Sequence, residues 1–413
     1  MKKNKRTDTQ KVWLTAALGA AAACGASAYE VPLSFIGTNM PPLEFHGFAS
    51  QGFLYSGDYN YLANDTKNGS FQFSEFGLNA SMNPFPHTRI AVQGFAFDVG
   101  NVGQYQPFLD YGLIEYTVND ELGIRAGRVR RAQGIYNAVQ DIDLARTYVL
   151  LPQGMYDARW RDWSASIDGV NLFGEISLQK AGSLSYEAYA GFIEMANNGG
   201  VARYVEALNN MSVSDMNYAP SFGGQLWYNT PLEGLRFGAA IGYMSDFGFS
   251  GNSETMVQIA PRVYVPGYVN SHTVGNSLLQ QYSVEYIWKS WTFQAEYSTY
   301  DLTGYTHANI YIPAIRRTVP NLTPMANNPE TWYVAASHRF NKHIEAGAYY
   351  TQFTLAGNRQ NDATLSLRFD IKDWWLFKVE GHYIQGNALL RDGTPFDNNK
   401  NWFMFAVKTT VSF

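Results

Sequence analysis

Apolar and polar side chains alternate along most of this chain. In Trp291-Thr292-Phe293-Gln294-Ala295-Glu296-Tyr297-Ser298, the residues Trp291, Phe293, Ala295 and Tyr297 fall on one side and Thr292, Gln294 and Glu296 on the other. The preceding segment repeats the pattern, with Tyr282, Val284, Tyr286 and Trp288 opposing Ser283, Glu285 and Lys289. Leu235, Phe237, Ala239 and Ile241 follow it too, as do Ala363, Leu365, Leu367 and Phe369. A period of two means strands, because successive side chains of a strand point to opposite faces. The pattern predicts strands at 44–55, 70–81, 88–99, 109–118, 121–128, 166–177, 183–192, 220–229, 234–245, 280–289, 291–300, 331–340, 343–353, 361–370, 374–384 and 401–413, about sixteen in all. Runs of this length suit a tilted strand that crosses the hydrocarbon of a bilayer.

A soluble sandwich also alternates, so the period alone does not choose between a second sheet and lipid. The connections do. Short links at 82–87, 119–120, 179–182, 231–233, 290, 341–342 and 371–373 take turns with longer ones at 56–69, 129–165, 193–219, 246–279, 301–330 and 385–400, those at 100–108 and 354–360 being the shortest of the outer set. A barrel with tight periplasmic turns and long external loops has this rhythm, and a sandwich gives no reason for it. Asn68-Gly69, Asn198-Gly199 and the prolines at 84, 86, 231, 313, 320, 324 and 329 are expected in connections, where they break no ladder. Tyr55, Tyr116, Trp288, Tyr300, Trp332, Tyr350 and Trp375 stand near strand ends, where an aromatic girdle would lie. The fold class is therefore all-β, a transmembrane antiparallel β-barrel spanning 44–413, with 29–43 as a periplasmic lead-in.

Composition agrees. Of 413 residues, 46% are hydrophobic, 15% aromatic and only 16% charged, which excludes disorder as the main state. Past the first thirty positions no run of eighteen apolar residues occurs, so any membrane crossing must use strands. A net charge of -5 gives no footprint for nucleic acid. At the start, Lys2, Lys3, Lys5, Arg6 and Lys11 precede the apolar stretch 12–24, and Ala26-Ser27-Ala28 offers small residues for cleavage, so 1–28 reads as a signal peptide. The alternative, a lipid-modified Cys24, lacks the usual bulky aliphatic residue three places before it. Cleavage after Ala28 discards the one cysteine and with it thiolate metal sites, disulfides and cysteine nucleophiles. No cofactor is implied. His338 and His343 flank a turn without a third ligand at a telling spacing, so no metal is expected there.

The last strand places Phe403, Phe405, Val407, Thr409, Val411 and Phe413 on one face and Lys408, Thr410 and Ser412 on the other. It resembles the C-terminal signature of Gram-negative outer-membrane proteins. About sixteen strands enclose a lumen too wide for side chains to fill, so something has to narrow it. The third external connection, among the longest, is the candidate. Its flanking Arg125-Ala126-Gly127-Arg128, followed by Gly134-Ile135-Tyr136-Asn137, Asp141, Arg146 and Leu151-Pro152-Gln153, resembles the segment that enters the third loop in bacterial porins of the phosphate-selective porin O/P type. That resemblance implies a homotrimeric, sixteen-stranded outer-membrane barrel, set in outer-membrane lipid, with the third loop folded into the pore. The lysine-rich loop stretch expected of a phosphate selector is absent.

Charge in this region is locally positive: Arg125, Arg128, Arg130, Arg131, Arg146, Arg159 and Arg161 stand against Asp141, Asp143 and Asp157. A charged ring at a constriction selects by sign, and guanidinium groups suit phosphate and carboxylate. The candidate constriction is thus Arg125, Arg128, Arg130, Arg131, Tyr136, Asp141, Asp143, Arg146, Arg159 and Arg161, with a weak anion preference. The competing reading is that these arginines pair with the loop aspartates and with Glu115 or Glu175, and only hold the loop. Glu285, Glu296, Glu345, Arg368, Lys378, Glu380 and Lys408 are candidate pore-wall residues, because a lysine or arginine facing lipid at mid-membrane costs roughly 2–4 kcal/mol. The expected activity is passive passage of small hydrophilic solutes or ions. The alternatives are a structural or receptor barrel, and an outer-membrane phospholipase or protease, for which no serine lies in a recognisable nucleophile motif.

Overall fold

A computed structural model describes residues 29–31, 41–390 and 394–413. The candidate signal segment 1–28 and most of the lead-in lie outside these residues; within them, Tyr29–Val31 forms a short strand paired with residues 43–45. Sixteen strands form a closed antiparallel wall. They are β1 Leu43–Ser56, β2 Phe73–Phe85, β3 Thr88–Val99, β4 Phe108–Asn119, β5 Leu122–Arg130, β6 Ser166–Ser177, β7 Ser183–Glu194 and β8 Tyr218–Asn229. Then follow β9 Leu235–Ala260, β10 Val263–Trp288, β11 Trp291–Ile312, β12 Glu330–Asn341, β13 Ile344–Leu355, β14 Asn358–Lys372, β15 Trp375–Gly386 and β16 Asn401–Ser412. Each segment expected from the alternation overlaps one of them, to within one residue at the ends, except that 70–72 precede β2 and only Ser70 of these bridges to Leu54.

Closure comes from β16 pairing with β1, from Met404 opposite Ser56 to Ser412 opposite Phe48. Phe413 and Gly47 exchange backbone hydrogen bonds of 2.9 and 3.0 Å, which stitch the terminal residue into the seam. Among the described residues no wall strand then keeps an open edge in the hydrocarbon, where an unpaired N–H or C=O would cost several kcal/mol. The faces sort as the sequence predicts: Phe403, Phe405, Tyr282, Phe293, Ile241 and Leu365 are exposed on the outside, whereas Lys408, Thr410, Glu285 and Glu296 are buried inside. Among the described residues no helix is long and apolar enough to cross a membrane.

Two expectations are corrected. The links at 246–279 and 301–330 are largely strand, because β9 and β10 are 26 residues long and β11 is 22. They rise past the wall as a tall sheet. Arg317–Asn327 adds one strand to the side of β11, and Met211–Met216 pairs with β9. Apolar alternation fades there, as in Gly251-Asn252-Ser253 and Asn270-Ser271-His272-Thr273, since both faces of a sheet above a membrane can meet water. Pro320 and Pro324 accordingly sit in a strand, opposite Asn309 and Tyr305. Their strand pairs on one side only among the described residues, and an edge tolerates the missing N–H. Pro84 also lies in a strand, at the irregular end of β2 between Met82 and Phe85.

Candidate functional site

β5 leaves the wall at Arg130 and β6 rejoins it at Ser166. The chain between them, which includes the short helix α1 (Arg161–Ser164), lies inside the barrel and bonds to wall side chains on several sides. Facing β10 to β12, Glu296 accepts from the Ile135 N–H (3.0 Å), Gln281 Nε2 (3.0 Å), Ser283 Oγ (2.5 Å), Tyr333 Oη (2.7 Å) and Tyr156 Oη. Gly134 makes that approach possible: its φ is +63°, and a Cβ there would lie 2.0 Å from Gln281 Nε2. Tyr136 donates to Gln294 at 2.7 Å and packs with Tyr156, Tyr333 and Tyr349.

Facing β13 to β16 the anchors are charged. Lys378 Nζ donates to the carbonyls of Asp143, Arg146 and Tyr148 at 2.8, 2.8 and 3.1 Å. Glu380 accepts the N–H groups of Val149 and Leu150 at 2.8 and 2.9 Å. Arg368 Nη1 donates to the Leu144 and Arg146 carbonyls at 2.8 and 3.2 Å, and Thr147 donates to Glu345 at 2.5 Å. Lys408 pairs with Asp143 at 2.8 Å and with Glu75, and Thr410 donates to Asp143 at 2.6 Å. Burial alone would raise the Asp143 carboxyl, but Lys408, Lys378 and Arg146 outweigh it and hold the group well below the usual carboxylate range. Asp141 is held down the same way by Arg130 and Arg161.

The candidate wall residues therefore all lie on the lumen side, and all but Glu285 meet the loop directly. Glu285 instead takes Arg236 at 2.7 Å and Gln294 at 2.8 Å. The arginines are mostly matched. Arg125 pairs with Glu115 (2.6 Å) and Glu187 (3.1 Å), Arg130 with Asp110 and Asp141, Arg146 with Asp143 (2.9 Å), Arg159 with Asp157 (2.7 Å) and Arg161 with Asp110 (2.5 Å). Arg131 is buried and bonds Gln133 at 2.8 Å. Arg128 pairs with Asp168 (3.0 Å) and Glu194 (3.2 Å). By the alternation of their strands these three share the outer face with Ile124, Val170 and Phe192, all exposed.

Asp141 and Asp143 are 1% and 2% exposed, turned toward the wall, while Ile142 and Leu144 are 43% and 40% exposed. With Asp143 seated on Lys378 and Lys408, the loop presents these two aliphatic side chains to the lumen. The strict alternation Asp141-Ile142-Asp143-Leu144 carried that signal, but not which side faces water. Glu75 and Asp110, both buried partners of the loop, were likewise not singled out from sequence. Nearer the outside, α1 places Asp162 against the start of the helix α2 (Gly200–Asn209). Burial pushes its carboxyl up to about 7, only partly offset by the backbone N–H groups of Trp163 and Val201.

No family model and no curated protein sequence matches the chain. Solved structures match over nearly the whole length. OmpF of Salmonella typhi, in complex with daunomycin, is 13% identical with a TM-score of 0.54, covering 93% of this chain and 100% of that one. The outer-membrane protein OmpT of Vibrio cholerae is 12% identical, with a TM-score of 0.53 and coverages of 91% and 98%. The anion-selective porin of Comamonas acidovorans is 9% identical, with a TM-score of 0.52 and coverages of 90% and 99%. Taken with the closed sixteen-strand wall and its apolar outer face, these likenesses make the fold that of a porin-like barrel of the bacterial outer membrane.

Proposed function

We propose that this chain is an outer-membrane channel for the passive diffusion of small hydrophilic solutes and ions, narrowed by the loop between β5 and β6. The observation that carries this reading is a closed wall whose lumen side is polar and whose third external connection is pinned inside it by Glu296, Lys378, Glu380 and Lys408. A width of sixteen strands is more than side chains alone fill. Charge selectivity is expected to be weak: Arg125, Arg130, Arg146, Arg159 and Arg161 each face a carboxylate, which supports the reading that they hold the loop and leaves little uncompensated positive charge for an anion preference. A homotrimer, and kinship with the phosphate-selective type, rest on the resemblance of the Arg125–Gln153 segment.

An enzyme reading finds little support. The Thr364, His382 and Asp362 cluster is buried, and the far nitrogen of His382 lies 3.1 Å from Glu380, which holds the loop. Planar-bilayer recording tests the proposal: steady open steps are expected, and a silent barrel that still shows heat-modifiable mobility overturns it. Reversal potentials in a salt gradient should lie close to zero.

A further inference from the structure

β10 and β11 pair without a break from Tyr268 opposite Tyr311 to Trp288 opposite Trp291. Their side-chain faces therefore keep their sense over the whole length. The face that carries Tyr282, Tyr286 and Trp288 against lipid is the one that carries Tyr268 and Asn270, and on β11 Tyr311 and Asn309, in the tall sheet above. Asn270 and Asn309 lie eight residues beyond Leu278 and Asp301, so at ~3.3 Å per residue and a 45° tilt they stand roughly 20 Å above the upper end of the apolar band.

The chemistry of this face changes with height. Across the sheet, β9 sets Asn252 opposite Asn270, whose amides bond at 3.0 Å, and Asn270 faces Asn309. One row higher, Glu254, Tyr268, Tyr311 and Thr318 stand side by side. A shallow hollow of about 740 Å³ is lined by these residues. Tyr268 and Tyr311 are 51% and 44% exposed. Exposed aromatic faces beside carboxamides, which donate and accept at once, match the surface of a pyranose: a C–H face to lie on a ring, and neighbouring hydroxyls to bond the amides.

We infer that the outward face of the tall sheet at Asn252, Asn270, Asn309, Tyr268 and Tyr311 binds the carbohydrate of the surrounding outer-leaflet glycolipid. The occupant follows from continuity. A face that meets acyl chains at Tyr282 and Trp288 meets, some 20 Å higher on the same strands, whatever those lipids carry above their acyl chains. In a Gram-negative outer leaflet that is the sugar portion of lipopolysaccharide. The site is independent of the channel reading, since it lies on the opposite side of the wall from the lumen.

The test titrates the detergent-solubilised full chain with free core oligosaccharide released from rough lipopolysaccharide, with the intact lipopolysaccharide, and with its lipid A alone. Saturable binding of the free oligosaccharide is expected, weakened at least tenfold in Tyr268→Ala/Tyr311→Ala and in Asn270→Ala/Asn309→Ala, with lipid A binding unchanged in both. The amide variant keeps the rings in place, so it stands if the tyrosine variant loosens the sheet. No saturable oligosaccharide binding, equal affinity for lipid A and intact lipopolysaccharide, or binding that both variants leave intact each overturns the assignment. So does tyrosine-dependent pairing of two copies by light scattering without sugar binding.

Discussion

Lys378→Met isolates the anchoring of the internal loop. The side chain is 0% exposed, its ammonium donates to three loop carbonyls, and it lies 3.7 Å from the Asp143 carboxylate. Methionine nearly preserves the volume, so the wall should close as before. What is lost is the charged donor. Bonds from a charged donor contribute ~1.5–3 kcal/mol each, but their losses do not add, and removing one member of a buried pair typically costs about 3–5 kcal/mol. Near 4 kcal/mol, the equilibrium for local opening of the loop shifts by roughly a thousandfold. Hydrogen exchange reads this directly at Val149 and Leu150, whose N–H groups are held by Glu380 on the same strand. Their protection should fall by about two to three orders of magnitude if they open with the loop, while amides of β10 and β11 stay slow, and single-channel current should become larger or noisier. Unchanged protection at both amides, in a variant that remains heat-modifiable, would falsify the view that Lys378 holds the loop.

Other outcomes follow from the same geometry. Ile142→Glu should shift the reversal potential toward cations more than Arg159→Gln does, because Ile142 faces the lumen whereas Arg159 is buried on Asp157; a larger shift from Arg159→Gln would contradict that placement. Glu296→Gln keeps an acceptor but loses the charge on which Tyr156, Tyr333 and Ile135 converge, and should cost about 1–3 kcal/mol, read as a lower denaturant midpoint. Asp162 has a raised folded pKa of about 7 against an ordinary 3.8, so the folded state binds its proton more tightly. Stability of the α1–α2 region should therefore fall as pH rises between about 4 and 7 and level off above, and Asp162→Asn should flatten this slope in melting curves. Asp143 has the opposite sign. Its anchoring is fully present above the ordinary carboxylate range and is lost only as pH drops well below about 4, so loop protection should survive at pH 5.

Strand positions were legible because lipid on one side and water on the other impose alternation on every wall strand, from Leu235 through Ile241 to Phe403 and Phe405. Where that asymmetry of solvent ends, so does the signal. Residues 246–279 carry Gly, Ser, Asn and Thr on either face, and their strands are specified by pairing with β10 and β11 rather than by any local pattern. In the loop, residue types marked the right region, but not the partners. Arg130 and Arg161 converge on Asp110, an inserted residue at the bulge where Gln93 and Gly94 meet β4, and no local spacing announces such a meeting. Lys378 and Lys408 belonged to the lumen by alternation, yet their burial depends on a segment more than two hundred residues away in sequence.

The two prolines of Arg317–Asn327 bear on how such molecules live side by side. Each is paired at a position where its nitrogen must turn away from β11, so the open flank of the tall sheet lacks donors at two places four residues apart. A crowded membrane brings these flanks together constantly, and a bare strand would invite a neighbour to continue the ladder. Pro320 and Pro324 act as gaps in the zipper: neighbouring molecules can graze one another without fusing into an endless ribbon.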